Sequence, residues 1–113
     1  MKELRSWNMD TVTDKYAAMR NSSQSMQDVD DETVLTVDAW LQYEDADRET
    51  GELKTLLVIK SEGKQYTTIS QTFIREFLEA WDFFAENGER VERIAVLHGE
   101  TKAGRAYVTC EVR

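Results

Sequence analysis

Hydrophobic and polar residues alternate along the chain from residue 33, with the period of two that is typical of a half-buried strand. The apolar positions of this alternation are Leu35, Val37, Ala39, Leu41 and Tyr43. A polar segment at residues 44–51 predicts a turn, and the apolar run after it predicts a second strand at about residues 52–60. Residues 61–63, Ser-Glu-Gly, are typical of a tight hairpin turn, so residues 64–69 are predicted to form the third strand.

The spacing of apolar residues then changes from two to between three and four, which predicts an amphipathic helix at about residues 71–87. Its apolar stripe consists of Phe73, Ile74, Phe77, Leu78, Trp81, Phe84 and Ala85. We expect Ser70 or Thr72 to cap the start of this helix, and Gly88 to supply the left-handed residue at its end. The aromatic stripe is therefore predicted to belong to the core.

Strand spacing returns twice after the helix, at residues 91–97 and 105–112, with a turn at residues 99–104 between them. The element order is strand, strand, strand, helix, strand, strand. This is the order of the oligonucleotide-binding (OB) barrel, in which five strands close partly and a helix plugs one end. We therefore predict a mainly β fold with one helix, a five-stranded OB-like barrel. An open α+β sheet with one helix would show the same order and is the alternative.

The first 32 residues differ in composition from the rest of the chain. They are polar, rich in Ser, Asn, Gln and Asp, and they end in an acidic run at residues 28–32. A segment of this composition offers little apolar surface to a core. We therefore expect an acidic, partly disordered N-terminal arm at residues 1–32 and a folded domain at residues 33–113.

The charge and cysteine content narrow the class of protein. A formal net charge of -8 argues against a uniformly basic surface, because phosphate neutralisation needs Lys and Arg within reach. A local basic groove is still compatible with the 14 basic residues. The single cysteine, Cys110, cannot form an intramolecular disulfide, and the first residues lack the apolar run of a signal peptide. We therefore expect a protein of the reducing cytoplasm without membrane contact.

Motifs for catalysis or metal binding find no match in the sequence. The acidic turn at residues 45–51 suggests a calcium loop, but Thr50 and Leu56 stand where an EF-hand needs Gly and Glu. One histidine, His98, and one cysteine, Cys110, do not make a zinc set. Because nucleophile-elbow, P-loop and Rossmann patterns are also absent from the sequence, we predict no enzyme, no cofactor and no metal.

Three aromatic residues are predicted to lie on exposed faces beside basic residues. If the apolar set of the first strand points inward, the alternation turns Trp40 outward. The same argument turns Arg105 and Tyr107 outward in the last strand, and Tyr66 stands between polar neighbours close to two lysines. For each ring the alternative is a structural role, in which the ring covers the rim of the barrel or packs under the arm.

Exposed aromatic and basic residues together form the surface that single-strand binding needs. Each base stacks on a ring for roughly 1–3 kcal/mol, and nearby Lys or Arg side chains contact the phosphates. The predicted nucleic-acid-binding residues are Trp40, Lys60, Lys64, Tyr66, Lys102, Arg105 and Tyr107.

Several segments within residues 52–112 resemble a known family. They are residues 55–60, residues 63–70 with the motif Tyr-x-x-Ile-Ser, the aromatic helix, and residues 98–107 with the turn Gly-x-Thr-x-x-Gly. In these segments the chain is similar to the small single-stranded DNA-binding proteins of tailed phages of Gram-positive bacteria.

The resemblance implies a replication protein of the bacterial host cell that binds the displaced strand cooperatively and without strong sequence preference. Its expected partners are single-stranded DNA, further copies of the chain along the strand, and replication proteins that contact the acidic N-terminal arm. The alternative function is an acidic protein-interaction module, an inhibitor or adaptor that imitates DNA, which the charge of -8 would also suit. A metal-dependent nuclease is a further alternative, and it would need carboxylates clustered in a cleft.

Overall fold

In a computed structural model, which describes residues 1–20 and 23–113, the chain forms eight strands and two helices. Their bounds are β1 Lys2–Trp7, α1 Val12–Arg20, β2 Gln24–Ser25, β3 Thr33–Thr36, β4 Ala39–Ala46, β5 Leu53–Ser61, β6 Lys64–Thr68, α2 Gln71–Glu86, β7 Arg93–Glu100 and β8 Ala106–Val112. The predicted mainly β fold is confirmed, whereas the predicted single helix and five strands are wrong, because the first 32 residues add α1 and two strands. No described helix is long and apolar enough to cross a membrane.

The strands belong to two sheets. One has the strand order β1-β4-β5-β6-β2 and the other the order β3-β7-β8. Only the short β2 pairs with its neighbour in parallel, while the other ladders are antiparallel. Among the described residues, no strand pairing joins the two sheets into a closed barrel.

Two hydrophobic clusters lie on opposite faces of the five-stranded sheet. The inner core is shared by both sheets and α2, and its buried members are Met26, Leu35, Val37, Trp40, Leu57, Ile59, Tyr66, Phe73, Ile74, Phe77, Val91, Ile94, Val96 and Val108. The outer cluster lies on the other face, beside α1, and consists of Met9, Ala18, Ala39, Leu41, Tyr43 and Val58. Both faces of β4 are therefore buried.

The segment from β3 to β4 bends from one sheet into the other, and this bend reverses the alternation of its side chains. Val37 N donates to Glu92 O at 2.9 Å, beyond β3, and Asp38 N donates to Lys60 O at 2.9 Å, beside β5. Val37 belongs to the inner core, but Ala39, two residues later, belongs to the outer cluster. A strict period of two therefore fails at this point.

The expectation that Trp40 points outward is wrong for this reason. Trp40 is 1% exposed and lies in the inner core. Its ring makes edge contacts with Phe77 and Trp81, at centroid distances of 5.6 and 5.4 Å. Aromatic pairs of this geometry stabilise a core beyond the area that they bury. Trp40 is thus a structural residue in the folded chain.

The expectation that Tyr66 points outward is wrong as well. Tyr66 is 9% exposed and pairs with Ile59, whose side chain lies in the inner core. Cross-strand partners share one face of a sheet, so Tyr66 also points inward. The residues of β6 that point the other way are its polar neighbours, Gln65 and Thr67.

The predicted helix and its caps are confirmed. The side chain of Ser70 accepts a hydrogen bond from Phe73 N at 3.2 Å, as an N-cap does, and Gly88 has a φ angle of 72° just beyond the helix. Phe73 and Phe77 are fully buried, so the aromatic stripe forms core as expected.

The first 32 residues contribute to the core, against the expectation. Met26 is fully buried, and β1 pairs along β4. Trp7 at the end of β1 contacts Trp81 of α2 at a centroid distance of 4.9 Å. A few well-placed apolar residues therefore anchor a segment whose average composition is polar. The division of the chain at residue 33 stays a prediction, and residues 21–22 of the predicted arm lie outside the described residues.

Candidate nucleic-acid interface

The β5–β6 hairpin positions two of the predicted basic residues. Its turn consists of Glu62 (φ 49°) and Gly63 (φ 80°), and the two positive φ angles are those of a tight type I′ hairpin. Asp38 Oδ2 accepts a hydrogen bond from Glu62 N at 2.7 Å, which ties the turn to the bend before β4. Lys64 follows the turn and is exposed, whereas Lys60 precedes it and is half-buried.

An open cavity of about 390 Å³ lies beside this hairpin. Its lining residues are Asn8, Asp38, Ala39, Lys60, Gly63, Lys64 and Gln65. Lys60 pairs with both Ala39 and Gln65, so the three side chains lie on the face of the outer cluster. Gln65 Nε2 is buried and has no hydrogen-bond partner among residues 1–20 and 23–113. Two ammonium groups and an unpaired amide donor suit a ligand that is rich in oxygen acceptors.

Polar side chains continue from this cavity along the outer face of β6. Thr67 pairs with Val58 of the outer cluster, and its hydroxyl contacts the hydroxyl of Ser23. A second cavity of about 220 Å³ lies here, lined by Ser23, Ser25, Gln27, Thr67, Thr68 and Ile69. We call the polar residues of this face the β6 strip: Ser23, Ser25, Lys60, Lys64, Gln65 and Thr67. At about 3.4 Å per residue, β6 gives the strip a length of roughly 17 Å.

The β7–β8 hairpin positions the other two predicted basic residues. Thr101 organises the turn, because its backbone N–H donates to Arg105 O at 2.9 Å and its hydroxyl accepts from Arg105 N at 3.1 Å. Gly104 N donates to Thr101 O at 2.9 Å, and its φ angle of 80° explains why glycine stands there. Lys102 and Arg105 are exposed on this ordered turn.

Tyr107 points outward as predicted. Its side chain is 41% exposed, while the next residue, Val108, is 1% exposed and belongs to the inner core. Tyr107 pairs with Gly99 of β7, so its ring lies on the outer face of the three-stranded sheet. Of the three aromatic residues predicted to bind nucleic acid, this is the one that the structure leaves exposed.

One hydrogen bond brings the end of β6 close to β8. Ser70 Oγ donates to Val108 O at 2.7 Å, one residue from Tyr107. Near the same place, His98 Nε2 lies 3.0 Å from Met26 O and joins β7 to the segment that carries Ser25. The β6 strip therefore leads from the β5–β6 turn toward the β7–β8 hairpin.

The four predicted basic residues share one electrostatic property. Among the described residues, none of Lys60, Lys64, Lys102 and Arg105 forms a salt bridge. Other basic residues are paired with carboxylates, including Arg5 with Asp82 at 2.8 Å and Lys15 with Glu3 at 3.1 Å. The charge of the four residues is therefore available to an anionic ligand in spite of the acidic composition.

The β4–β5 turn shows the opposite arrangement. Lys54 Nζ lies 3.0 Å from Asp47 Oδ2, and this contact, together with the backbone N–H groups of Glu49 and Thr50, lowers the pKa of Asp47 to about 2. The turn is thus an internally neutralised, acidic segment rather than a basic surface. The remaining reactive group, Cys110, is inert, since burial raises the pKa of its thiol to about 12.

The structure thus brings together only part of the predicted site. Lys60 and Lys64 lie on one hairpin, and Lys102, Arg105 and Tyr107 lie on the other, whereas Trp40 and Tyr66 lie in the core between the sheets. Sequence reasoning missed Gln65, although its place beside Lys64 in the same strand as the predicted Tyr66 was a usable signal.

Comparison with known proteins identifies the family. The family model described as phage single-stranded DNA-binding protein, of the Phi29 type, matches residues 8–113. No curated protein and no solved structure matches the chain. The match spans nearly the whole chain and includes most of the first 32 residues. The chain therefore belongs to the family of phage single-stranded DNA-binding proteins, and it binds single-stranded DNA in phage DNA replication.

Proposed function

We propose that the chain binds the strand on an OB-like surface formed by β5, β6 and the β7–β8 hairpin. Counting the bent β3–β4 segment as one strand gives the order strand, strand, strand, helix, strand, strand, with β1, α1 and β2 as N-terminal additions. In OB folds the ligand lies across the second and third strands and is bordered by the loops after the first and fourth. The β6 strip and the β7–β8 turn occupy these positions.

Lys60, Lys64, Lys102 and Arg105 are the proposed phosphate contacts. The observation that carries this proposal is that all four lie on the two hairpins and have no carboxylate partner among the described residues. A cation that must first leave a carboxylate gains less from a phosphate than a free one does. Free cations at both ends of the β6 strip therefore favour a strand that runs along it.

Tyr107 is the proposed stacking residue. It is exposed, and it stands beside Lys102 and Arg105 on the same hairpin. Stacking on a tyrosine ring tolerates every base, because all four present a π-face, so this mode agrees with sequence-tolerant binding. Trp40 and Tyr66 would have to leave the inner core to stack, and we assign them to the stability of the fold.

The salt dependence of binding tests the phosphate contacts. Three or four contacts release counterions with a slope of roughly -2 to -3 in log affinity against log salt, at about -0.7 per phosphate on a single strand. Fluorescence anisotropy of labelled oligo-dT measures this slope. Lys64→Ala should reduce its size by about 0.7. Lys54→Ala is the matched control, because Lys54 is already paired with Asp47 and lies on another turn.

An affinity that is independent of salt would contradict the proposed phosphate contacts. Equal effects of Lys64→Ala and Lys54→Ala would also contradict them, because then any surface lysine would serve and the β6 strip would have no special role.

Contacts with proteins are proposed at the acidic segment of residues 28–32. Its carboxylates are exposed, and Asp31 Oδ1 accepts a hydrogen bond from His98 N at 2.8 Å, which holds the segment against β7. A held acidic loop can meet a basic surface of a replication protein or of the next copy on the strand. Sedimentation of the protein with long and short oligo-dT tests the second of these, since neighbour contacts make binding to the long strand cooperative.

A further inference from the structure

Gly99 of β7 stands directly opposite Tyr107 of β8. A Cβ atom built on Gly99 would lie 2.5 Å from both Cζ and Oη of Tyr107 and 2.9 Å from Cε1. Non-bonded carbon atoms prefer separations of about 3.5–4.0 Å. The hydroxyl end of the Tyr107 ring therefore occupies the space that any other side chain at this position would need.

The other glycines of the chain differ from Gly99 in this respect. Gly51, Gly63, Gly88 and Gly104 have φ angles between 72° and 80°, and a Cβ on any of them would meet nothing within 4 Å. Those four are explained by the backbone conformation of their turns. Gly99 lies in a strand without a positive φ angle, and it is explained only by the ring that lies over it.

The atoms that approach Gly99 are the far end of a side chain that turns on two torsion angles. Because the ring is 41% exposed, it has room to swing away without displacing the backbone or the buried Val108. A methyl group at residue 99 would therefore move the ring and leave the fold in place. Loss of position and loss of stability can be separated at this site.

We propose that Gly99 is a positioning residue for single-stranded DNA binding. Its lack of a side chain lets the ring of Tyr107 lie across β7, and this fixes the place at which a base stacks. A ring that is held in one place before binding loses less conformational entropy when the base arrives. The inference rests on the stacking role of Tyr107 that is proposed above.

The test is a double-mutant cycle on the full chain with Gly99→Ala, Tyr107→Ala and the double variant. Affinity for labelled oligo-dT is measured by anisotropy, and thermal unfolding is measured for each protein. Tyr107→Ala should weaken binding by about 5- to 150-fold, the equivalent of roughly 1–3 kcal/mol. Gly99→Ala should weaken it by at least about fivefold, the lower end of that range. The double variant should bind like Tyr107→Ala alone, because no ring is left to be displaced.

Thr109→Ala is the matched control, since Thr109 is the next outward residue of β8 and touches neither partner of the pair in the ladder. It should bind like the parent protein. The aromatic proton signals of Tyr107 in nuclear magnetic resonance should shift in Gly99→Ala before any DNA is added. If Gly99→Ala also lowers the melting temperature, adding Tyr107→Ala should restore it, because the clash is then removed.

Two results would overturn the inference alone: full affinity of Gly99→Ala while Tyr107→Ala binds weakly, or losses that add in the double variant. If Tyr107→Ala itself binds like the parent protein, the stacking role is wrong and the positioning role falls with it.

Discussion

The aromatic cluster around α2 and the β7–β8 hairpin use the same kinds of residue for different ends. In the cluster, Trp7, Trp40 and Trp81 pack against one another with centroid distances of 4.9 and 5.4 Å, and Arg90 lies 4.8 Å from the ring of Trp7. On the hairpin, Tyr107 stands beside basic residues and is 41% exposed. Aromatic and basic residues together thus indicate a binding surface only where the sheet leaves the ring outside the core.

Removal of residues 1–32 should have the largest effect, and it acts on the cluster. The deletion removes Trp7 and the fully buried Met26, so we expect the remaining chain to lose most of its stability, which for a domain is only about 5–15 kcal/mol. Circular dichroism during thermal unfolding measures this loss. An unchanged melting temperature would show that these residues are an accessory arm after all.

A smaller change sharpens the same point. Met26→Ala should cost about 2–5 kcal/mol of unfolding free energy, the usual range for a buried methionine. Gln27→Ala, at the exposed next position, should change it by less than about 0.5 kcal/mol.

Trp40→Ala should cost about 3–5 kcal/mol of unfolding free energy, because it removes the ring at the centre of the cluster. Urea unfolding measures the loss. The fraction of the protein that stays folded should bind oligo-dT with the affinity of the parent protein. Weaker binding by that folded fraction would place Trp40 on the binding surface and undo the comparison.

Tyr107→Ala should show the reverse signature, with about 1–3 kcal/mol lost from binding and little change in unfolding. Tyr16→Ala is the matched control, since Tyr16 is 56% exposed on α1 and stands outside the β6 strip and both hairpins. Equal losses of affinity from the two variants, measured by anisotropy, would mean that exposed tyrosines act without regard to place.

The smallest effect is expected in the β4–β5 turn, where Lys54 is paired instead of free. The folded pKa of Asp47 is about 2, below its ordinary value of 3.8, so its contribution to stability is present above pH 3.8. That contribution is lost as the pH falls from about 3.8 to about 2. Asp47→Asn should therefore lose less stability than the parent protein over this interval, as measured by acid titration of the unfolding free energy. Parallel titration curves for the two proteins would contradict the assignment.

Local patterns were sufficient for α2, its Ser70 cap and the two hairpin turns, because spacing and turn chemistry act within a few residues. They failed at Trp40, where the bend after Val37 reverses the alternation, and at Met26, whose burial depends on elements far along the chain. The space that Tyr107 needs over Gly99 is likewise a contact between two strands. Such contacts leave no mark on the spacing of either strand.

Photo-crosslinking of an oligo-dT that carries 5-iodouracil tests most directly where the DNA lies. Iodouracil joins covalently to aromatic side chains that stack on it, and mass spectrometry of the digested complex identifies the residue. The account predicts a crosslink to Tyr107 and none to Trp40 or Tyr66. Crosslinks to Tyr16 or Trp40 in place of Tyr107 would contradict it.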